Sequence, residues 1–496
     1  MRAIGHWIGG RLVDGTSGRT SPVFDPARGV QTAEVALASR AETDDAVKLA
    51  VAAAAEWGRS SLSTRVAAMF RLREVLDRRR DELAAAVTAE HGKVHSDALG
   101  EVARGLECVE FACGIPQLLK GEHSTEVSTG VDVHTALEPV GVMAGITPFN
   151  FPVMVPLWMM ANAIACGNAF ILKPSEKDPS ASLLLAEAVA EAGFPDGVLT
   201  VLQGDAEAVD ALLAHPDVSA VSFVGSTPIA RHVYETGTRA GKRVQALGGA
   251  KNHMVVLPDA EVAAAADAAV SAAYGSAGER CMAISVLVAV GDVADPLIAA
   301  IAERIPSVVV GPGDQPTSEM GPLITAQHRD RVRSYVAGAA DEGARVVVDG
   351  TAAEGIPGTG FFLGCTLLDD VRPGTRVYDD EIFGPVLGVV RVASLDEALE
   401  LVNANPYGNG VAVFTRDGGA ARRFAREVEV GMIGVNVPIP VPVGWHSFGG
   451  WKASLFGDAP IYGAEGIRFC TRPKVVTSRW PETATSRVAL QFPSHS

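Results

Sequence analysis

From about residue 140 the chain alternates short apolar runs with longer amphipathic stretches. Val140-Gly-Val-Met-Ala-Gly-Ile146 is apolar throughout and predicts a buried strand that ends in Thr147-Pro-Phe-Asn150. A helix then crosses to a second strand, Ala169-Phe-Ile-Leu-Lys173. Pro179 opens the next helix at its first turn and Gly193 closes it. Apolar runs near 198–202, 220–224 and 243–247 predict three more strands. Short apolar strands separated by helices mean a parallel, doubly wound α/β sheet.

A second alternating series begins near 254–257 and runs to about 435, with strands at Ile284–Val290 and Val386–Val392. Upstream, Ser39-Arg-Ala-Glu42 reads as a capping box for an Ala-rich helix ending near Trp57-Gly58. The helix after it carries Val66, Met69, Phe70, Leu72 and Leu76 on its apolar side. The chain therefore divides into one α/β domain over 1–123 and 138–247 and a second over 248–450. The segments 124–137 and 470–490 alternate Val, Thr and charged residues and belong to neither. They read equally as an antiparallel arm that pairs with another subunit or as an ordinary edge hairpin.

With 496 residues, the chain is long enough for such a two-domain body. A net charge of -16 removes the basic field that a nucleic-acid surface wants. No run of eighteen apolar residues predicts a membrane span, and the N-terminus lacks the apolar core of a signal peptide. The six cysteines are scattered without a C-x-x-C pair, which suits free thiols in a reducing cytoplasm and argues against zinc.

Candidate chemistry sits at the ends of the predicted strands. Cys281 lies in Gly275-Ser-Ala-Gly-Glu-Arg-Cys-Met282, a small-residue turn that lets ligands approach the backbone, with Arg280 beside it to favour the thiolate. Asn150 lies between prolines in Pro148-Phe-Asn-Phe-Pro152, where a stiffened loop can hold an amide toward an oxyanion. Phe223-Val-Gly-Ser-Thr227 leads from a strand into a helix, so its amides and Ser226 can meet a pyrophosphate. Lys173-Pro-Ser-Glu-Lys177 follows another strand, with Glu176 suited to ribose hydroxyls. Taken singly, each of these is more often a buried thiol, a turn or a cap.

Together they are more specific. Pro148-Phe-Asn-Phe-Pro152, Lys173-Pro-Ser-Glu176, Phe223-Val-Gly-Ser226, Gly278-Glu-Arg-Cys281, Glu381-Ile-Phe-Gly-Pro385 and Asn405-Pro-Tyr-Gly408 occur in the order found in the aldehyde dehydrogenase superfamily, which the chain resembles over nearly its whole length. The resemblance implies a Rossmann-like NAD-binding domain (1–123 and 138–247), a catalytic domain (248–450) and a small β oligomerisation arm (124–137 and 470–490). It makes Cys281 the nucleophile and Asn150 the oxyanion donor. It assigns NAD to Thr147, Phe149, Lys173, Glu176, Lys177, Gly225, Ser226, Glu381 and Phe383. It also implies a homo-oligomer, a dimer of dimers.

One departure is chemical. Hydrolytic members carry a glutamate base in a string like E-L-G-G-K, and the position thirty-four before Cys281 is Leu247, or Ala246 if the alignment slips by one. That loss resembles the methylmalonate-semialdehyde dehydrogenase branch, which passes its acyl group to coenzyme A. Gly248-Gly-Ala-Lys-Asn-His253, Arg280-Cys-Met-Ala-Ile-Ser285, Val435-Asn-Val-Pro-Ile-Pro-Val-Pro442 and Ser447-Phe-Gly-Gly-Trp-Lys452 resemble its motifs. By the same resemblance Arg280 and Arg104 grip a substrate carboxylate. The alternative is a hydrolytic semialdehyde dehydrogenase that uses Glu279 as its base.

Overall fold

A computed structural model describes residues 1–480. The middle of its first sheet is five parallel strands in the order Arg243–Leu247, Val218–Val224, Val142–Ile146, Ala169–Lys173 and Leu199–Val201. Val142–Ile146 comes first in the chain, and the sheet grows from it in both directions. Its border with Val218–Val224 is therefore the point where strand order reverses, and the loops leaving the carboxyl ends there diverge to open a crevice. Those loops are Thr147–Asn150 and Gly225–Ser226. Antiparallel strands His6–Ile8, Arg11–Val13 and Leu455–Phe456 complete an eight-stranded sheet.

Helices on both faces explain why the inner strands are continuous apolar runs rather than alternating ones. Every residue of Val142–Ile146 and Ala169–Lys173 is buried. Every residue of the Met154–Ala165 helix is buried too, and this helix starts just after Asn150. The Arg40–Trp57 helix has its capping box, with Ser39 Oγ and Glu42 exchanging bonds across the first turn. In the Leu62–Arg78 helix the buried stripe runs through Ala68, Met69, Leu72, Val75 and Leu76. Phe70 is an exception to the sequence reading, at 54% exposed. It stands about 100° around the helix from Met69, off the buried stripe.

The second sheet has seven strands in the order Arg345–Val348, Thr366–Asp369, Val386–Val392, Ile284–Val290, Asn252–Val256, Gly410–Phe414 and Met432–Val435. Only the first pair is antiparallel. Each sheet has its own apolar core. The chain then returns, and Phe448, Ile461, Tyr462 and Ile467 pack into the first core. A separate antiparallel sheet joins His123–Ser128, Val131–Pro139 and Thr471–Arg479. Positions 481–490 of the expected arm lie outside the described residues. Among the described residues, no helix is long and apolar enough to cross a membrane.

Candidate active site

The Cys281 turn is wound tightly. After the Val262–Tyr274 helix, Ser276 and Ala277 take φ values of 53° each and Gly278 takes 73°. Three successive left-handed residues reverse the chain and are strained wherever a Cβ is present. At Gly278 a Cβ would strike the Gly384 carbonyl, so glycine is required there on both counts. The Cys281 carbonyl is held by the side-chain amides of Asn252 at 2.9 Å and Asn409 at 3.1 Å. Cys281, Asn252, Glu381 and Phe383 line one cavity of about 20 Å³.

Cys281 is half-buried, whereas the other five cysteines are buried. Burial of its thiol, with the Glu381 charge second, pushes it up to about 12, while backbone amides and Lys93 act in the other direction. The sequence reading gave Arg280 the task of stabilising the thiolate. Instead, Arg280 Nη2 donates to Asp97 Oδ1 at 2.7 Å, and its guanidinium lies against Gly275.

Asn150 is buried and clamped from two sides. Its Nδ2 donates to the Glu279 carbonyl at 2.9 Å, which ties it to the Cys281 turn. Its own carbonyl accepts from Lys93 Nζ at 2.6 Å. An amide nitrogen carries two protons, so one donor remains for a ligand.

Of the expected cofactor residues, Thr147, Phe149, Lys173, Glu176, Lys177, Gly225 and Ser226 lie at or just beyond the carboxyl ends of first-sheet strands, whereas Glu381 and Phe383 lie before Val386–Val392 of the second sheet and line the Cys281 cavity. Among the described residues Thr147 Oγ1 is buried without a hydrogen-bond partner, and the Ser226 hydroxyl stands exposed at the start of the Thr227–Arg239 helix without capping it. An orphaned buried hydroxyl and an uncapped helix N-terminus fit a group bearing hydroxyls and phosphates. Gly225 places its backbone beside that helix end, its N–H donating to the Leu247 carbonyl. Lys173 is buried, donates to the Gly204 carbonyl at 2.8 Å and stands 3.6 Å from Glu176. Lys177 Nζ lies 4.7 Å from the Phe149 ring centre, and Phe149 meets Phe383 edge-on at 5.9 Å. Glu381 accepts from the Ala250 amide at 2.9 Å, and burial raises its carboxyl. Gly249 packs so close to Glu381 that a Cβ there would collide with the carboxylate.

At the position of the missing base, Leu247 and Ala246 are buried apolar side chains in the Arg243–Leu247 strand. Glu279 is fully buried, 3.7 Å from both His91 and His328, and burial pushes its carboxyl up to about 8. Its Oε2 has no hydrogen-bond partner among the described residues.

Arg104 does not present a free fork. Nη1 donates to both Glu107 oxygens at 3.0 and 2.9 Å. Nη2 donates to the carbonyls of Val441 and Pro442 at 3.0 and 2.9 Å. The guanidinium thus anchors the proline-rich loop, and a substrate carboxylate would have to compete with these acceptors.

Sequence reasoning missed Lys93, Glu101, Asp97 and His328. His328 Nε2 contacts the Phe383 carbonyl at 2.7 Å, bracing a residue at φ 59°. None of the four lies in a motif, and in sequence they read as surface charge. Asn252 and Asn409 were nearer to view, the first inside the Gly248–His253 string and the second just after Asn405-Pro-Tyr-Gly408.

A separate cavity of about 460 Å³ is lined by Asp25, Arg28, Thr88, His95 and Asp314. It holds none of the residues above.

A model of the aldehyde dehydrogenase family matches residues 12–476. A malonate-semialdehyde dehydrogenase of Pseudomonas aeruginosa is 52% identical, covering 100% of both chains. A solved methylmalonate-semialdehyde dehydrogenase from Oceanimonas doudoroffii superposes with a TM-score of 0.96 at 51% identity, covering 97% of this chain and 99% of that one. A Sinorhizobium meliloti protein, provisionally assigned the same activity and solved in complex with NAD, gives a TM-score of 0.96 at 51% identity, covering 98% and 99%.

Proposed function

Because the chain belongs to the aldehyde dehydrogenase family, we propose that it oxidises malonate or methylmalonate semialdehyde with NAD and passes the acyl group to coenzyme A. The observation that carries this reading is the shared cavity of Cys281, Glu381 and Phe383, with Asn150 tied to the same turn through Glu279. The names of the similar proteins supply the substrate class.

In this reading Cys281 gives its thiol proton to solvent and adds through its sulfur to the aldehyde carbon, whose carbonyl oxygen becomes the oxyanion. The remaining Asn150 N–H stabilises the oxyanion. NAD, when bound, accepts the hydride. Thr147, Lys173, Glu176, Gly225 and Ser226 would hold its adenosine and phosphate end, with Lys177 and Phe149 alongside, and Glu381 and Phe383 its nicotinamide ribose. The resulting Cys281 thioester loses the substrate carboxylate as carbon dioxide, and the α-carbon that keeps the electron pair takes up a proton from solvent. The thiol of coenzyme A then displaces Cys281. A thiol needs less base assistance than water because its pKa is several units lower, so buried Leu247 is tolerable at the base position. The exposed Thr471–Arg479 strand, at the edge of its own sheet, supports a homo-oligomer built through that arm.

The test withholds coenzyme A. The expected record is a burst of NADH, one equivalent per active site, followed by a slow phase that accelerates when coenzyme A is added. Equally fast steady turnover to free acid without coenzyme A would overturn the thiolysis step and favour Glu279 as a hydrolytic base.

A further inference from the structure

The Lys93 and Glu101 side chains are both fully buried, and their charged atoms meet at 2.7 Å. Burying two ions is unfavourable unless every donor and acceptor is satisfied. Here they are. The Lys93 ammonium has three donor directions: Glu101 Oε2, the Asn150 carbonyl at 2.6 Å, and the Phe151 ring, whose centre is 4.3 Å away. Glu101 Oε1 accepts from the amides of Val153 at 2.8 Å and Met154 at 3.1 Å. These are N–H groups at the start of the Met154–Ala165 helix, which have no partner within the helix.

The destinations of these bonds are the informative point. Among the described residues, every outward contact of the two charged groups ends on Asn150, Phe151, Val153 or Met154. A pair that merely joined two helices would have no reason to spend all its contacts on one short loop. The opposite side of Asn150 is held by the Glu279 carbonyl of the nucleophile turn. Asn150 is therefore held at its backbone carbonyl by a buried cation and at its side-chain amide by the Cys281 turn.

We propose that Lys93, oriented by Glu101, is a positioning residue that aims the Asn150 amide at the reacting oxygen. This rests on the reading of Asn150 as oxyanion donor. Lys93 touches neither substrate nor cofactor in this assignment; it acts through the loop. Its charge also bears on the Cys281 thiol in the direction that favours the thiolate.

The test is a double-mutant cycle on the full-length enzyme, using Lys93→Met, Asn150→Ala and their combination, together with Lys93→Met/Glu101→Gln. The last variant removes both charges but keeps a side-chain oxygen for the Val153 and Met154 amides, so the fold survives even if Lys93→Met alone does not. Displacing a catalytic group by about an ångström lowers turnover by about 10²-fold. Lys93→Met and Lys93→Met/Glu101→Gln should each lose about that much kcat, with KM for NAD and aldehyde changed by less than about threefold. Adding Asn150→Ala to Lys93→Met should then lower kcat far less than it does in the wild type, because the two act as one unit. Fully additive losses overturn the inference. So does recovery of wild-type kcat in Lys93→Met/Glu101→Gln, which would make the pair a fold staple only. If Asn150→Ala lowers kcat and Lys93→Met does not, the positioning role fails while the oxyanion reading stands. If Asn150→Ala by itself leaves kcat intact, the oxyanion reading fails and the inference falls with it.

Discussion

Arg280 and Arg104 should separate when each is removed, although the resemblance gives them one task. Arg280 Nη2 makes a single bond to a side chain, to Asp97. Among the described residues this is the side chain's one hydrogen bond, and Arg280 helps to line the Cys281 cavity. A charge-assisted hydrogen bond is worth about 1.5–3 kcal/mol. One such bond to the substrate carboxylate corresponds to a loss of about 10- to 150-fold in kcat/KM for the semialdehyde. Propanal has no carboxylate and should change by less than about threefold. Removing Arg280 alone would strand Asp97, whose Oδ2 is buried without a partner, and an unpaired buried charge destabilises the fold. The variant is therefore Arg280→Met with Asp97→Asn. Arg104→Met loses the two bonds to the Val441 and Pro442 carbonyls. Its effect should come through the loop and fall on charged and neutral aldehydes alike. Steady-state kinetics on both aldehydes, with thermal melts to check folding, decide the matter. If the Arg280 variant treats the two substrates alike, Arg280 is not the carboxylate anchor. If Arg104→Met discriminates as strongly, the loop-anchor reading is wrong.

Cys281→Ala should abolish turnover yet retain NAD binding by fluorescence titration, and residual dehydrogenase activity would remove Cys281 from its role. Asn150→Ala should lower kcat by about 10²–10³, the scale of one oxyanion donor, and an unchanged kcat would count against the amide. Glu176→Gln should raise the NADP-to-NAD ratio of catalytic efficiencies by about fivefold, equivalent to the ~1 kcal/mol expected of one partly exposed charge; an unchanged ratio would take Glu176 away from the ribose. Glu279 titrates near 8 in the fold against 4.5 as its ordinary value. The native state thus keeps a proton that the unfolded chain has lost between those values, and stability falls as pH rises through that window, by at most about 1.4 kcal/mol per unit. Glu279→Gln lacks this dependence, so its Tm should vary less between pH 5 and 8; parallel curves would show that the carboxyl titrates normally.

Where an element's energy is local, the sequence alone was enough to locate it. The strands Ile284–Val290 and Val386–Val392 stand where predominantly apolar runs put them, because a strand covered on both faces needs apolar side chains along most of its length; Ser285 and Arg391 are the polar exceptions, and neither is buried. The capping box at Ser39 was legible because its partner Glu42 lies three residues away, and the Cys281 turn was legible only as a run of small residues, since the Asn252 and Asn409 amides that hold it lie 29 and 128 residues away. What tertiary structure decided are pairings between distant positions. Arg280 meets Asp97 across 183 residues, and Arg104 reaches Val441 across 337. Leu455–Phe456 is too short to show a period, yet it completes the edge of the first sheet. Lys93 and Glu101 look like ordinary surface charge in the chain. Their interaction gains its strength only once both are out of water and every donor and acceptor is met, and no periodicity or spacing in the sequence records where desolvation will occur.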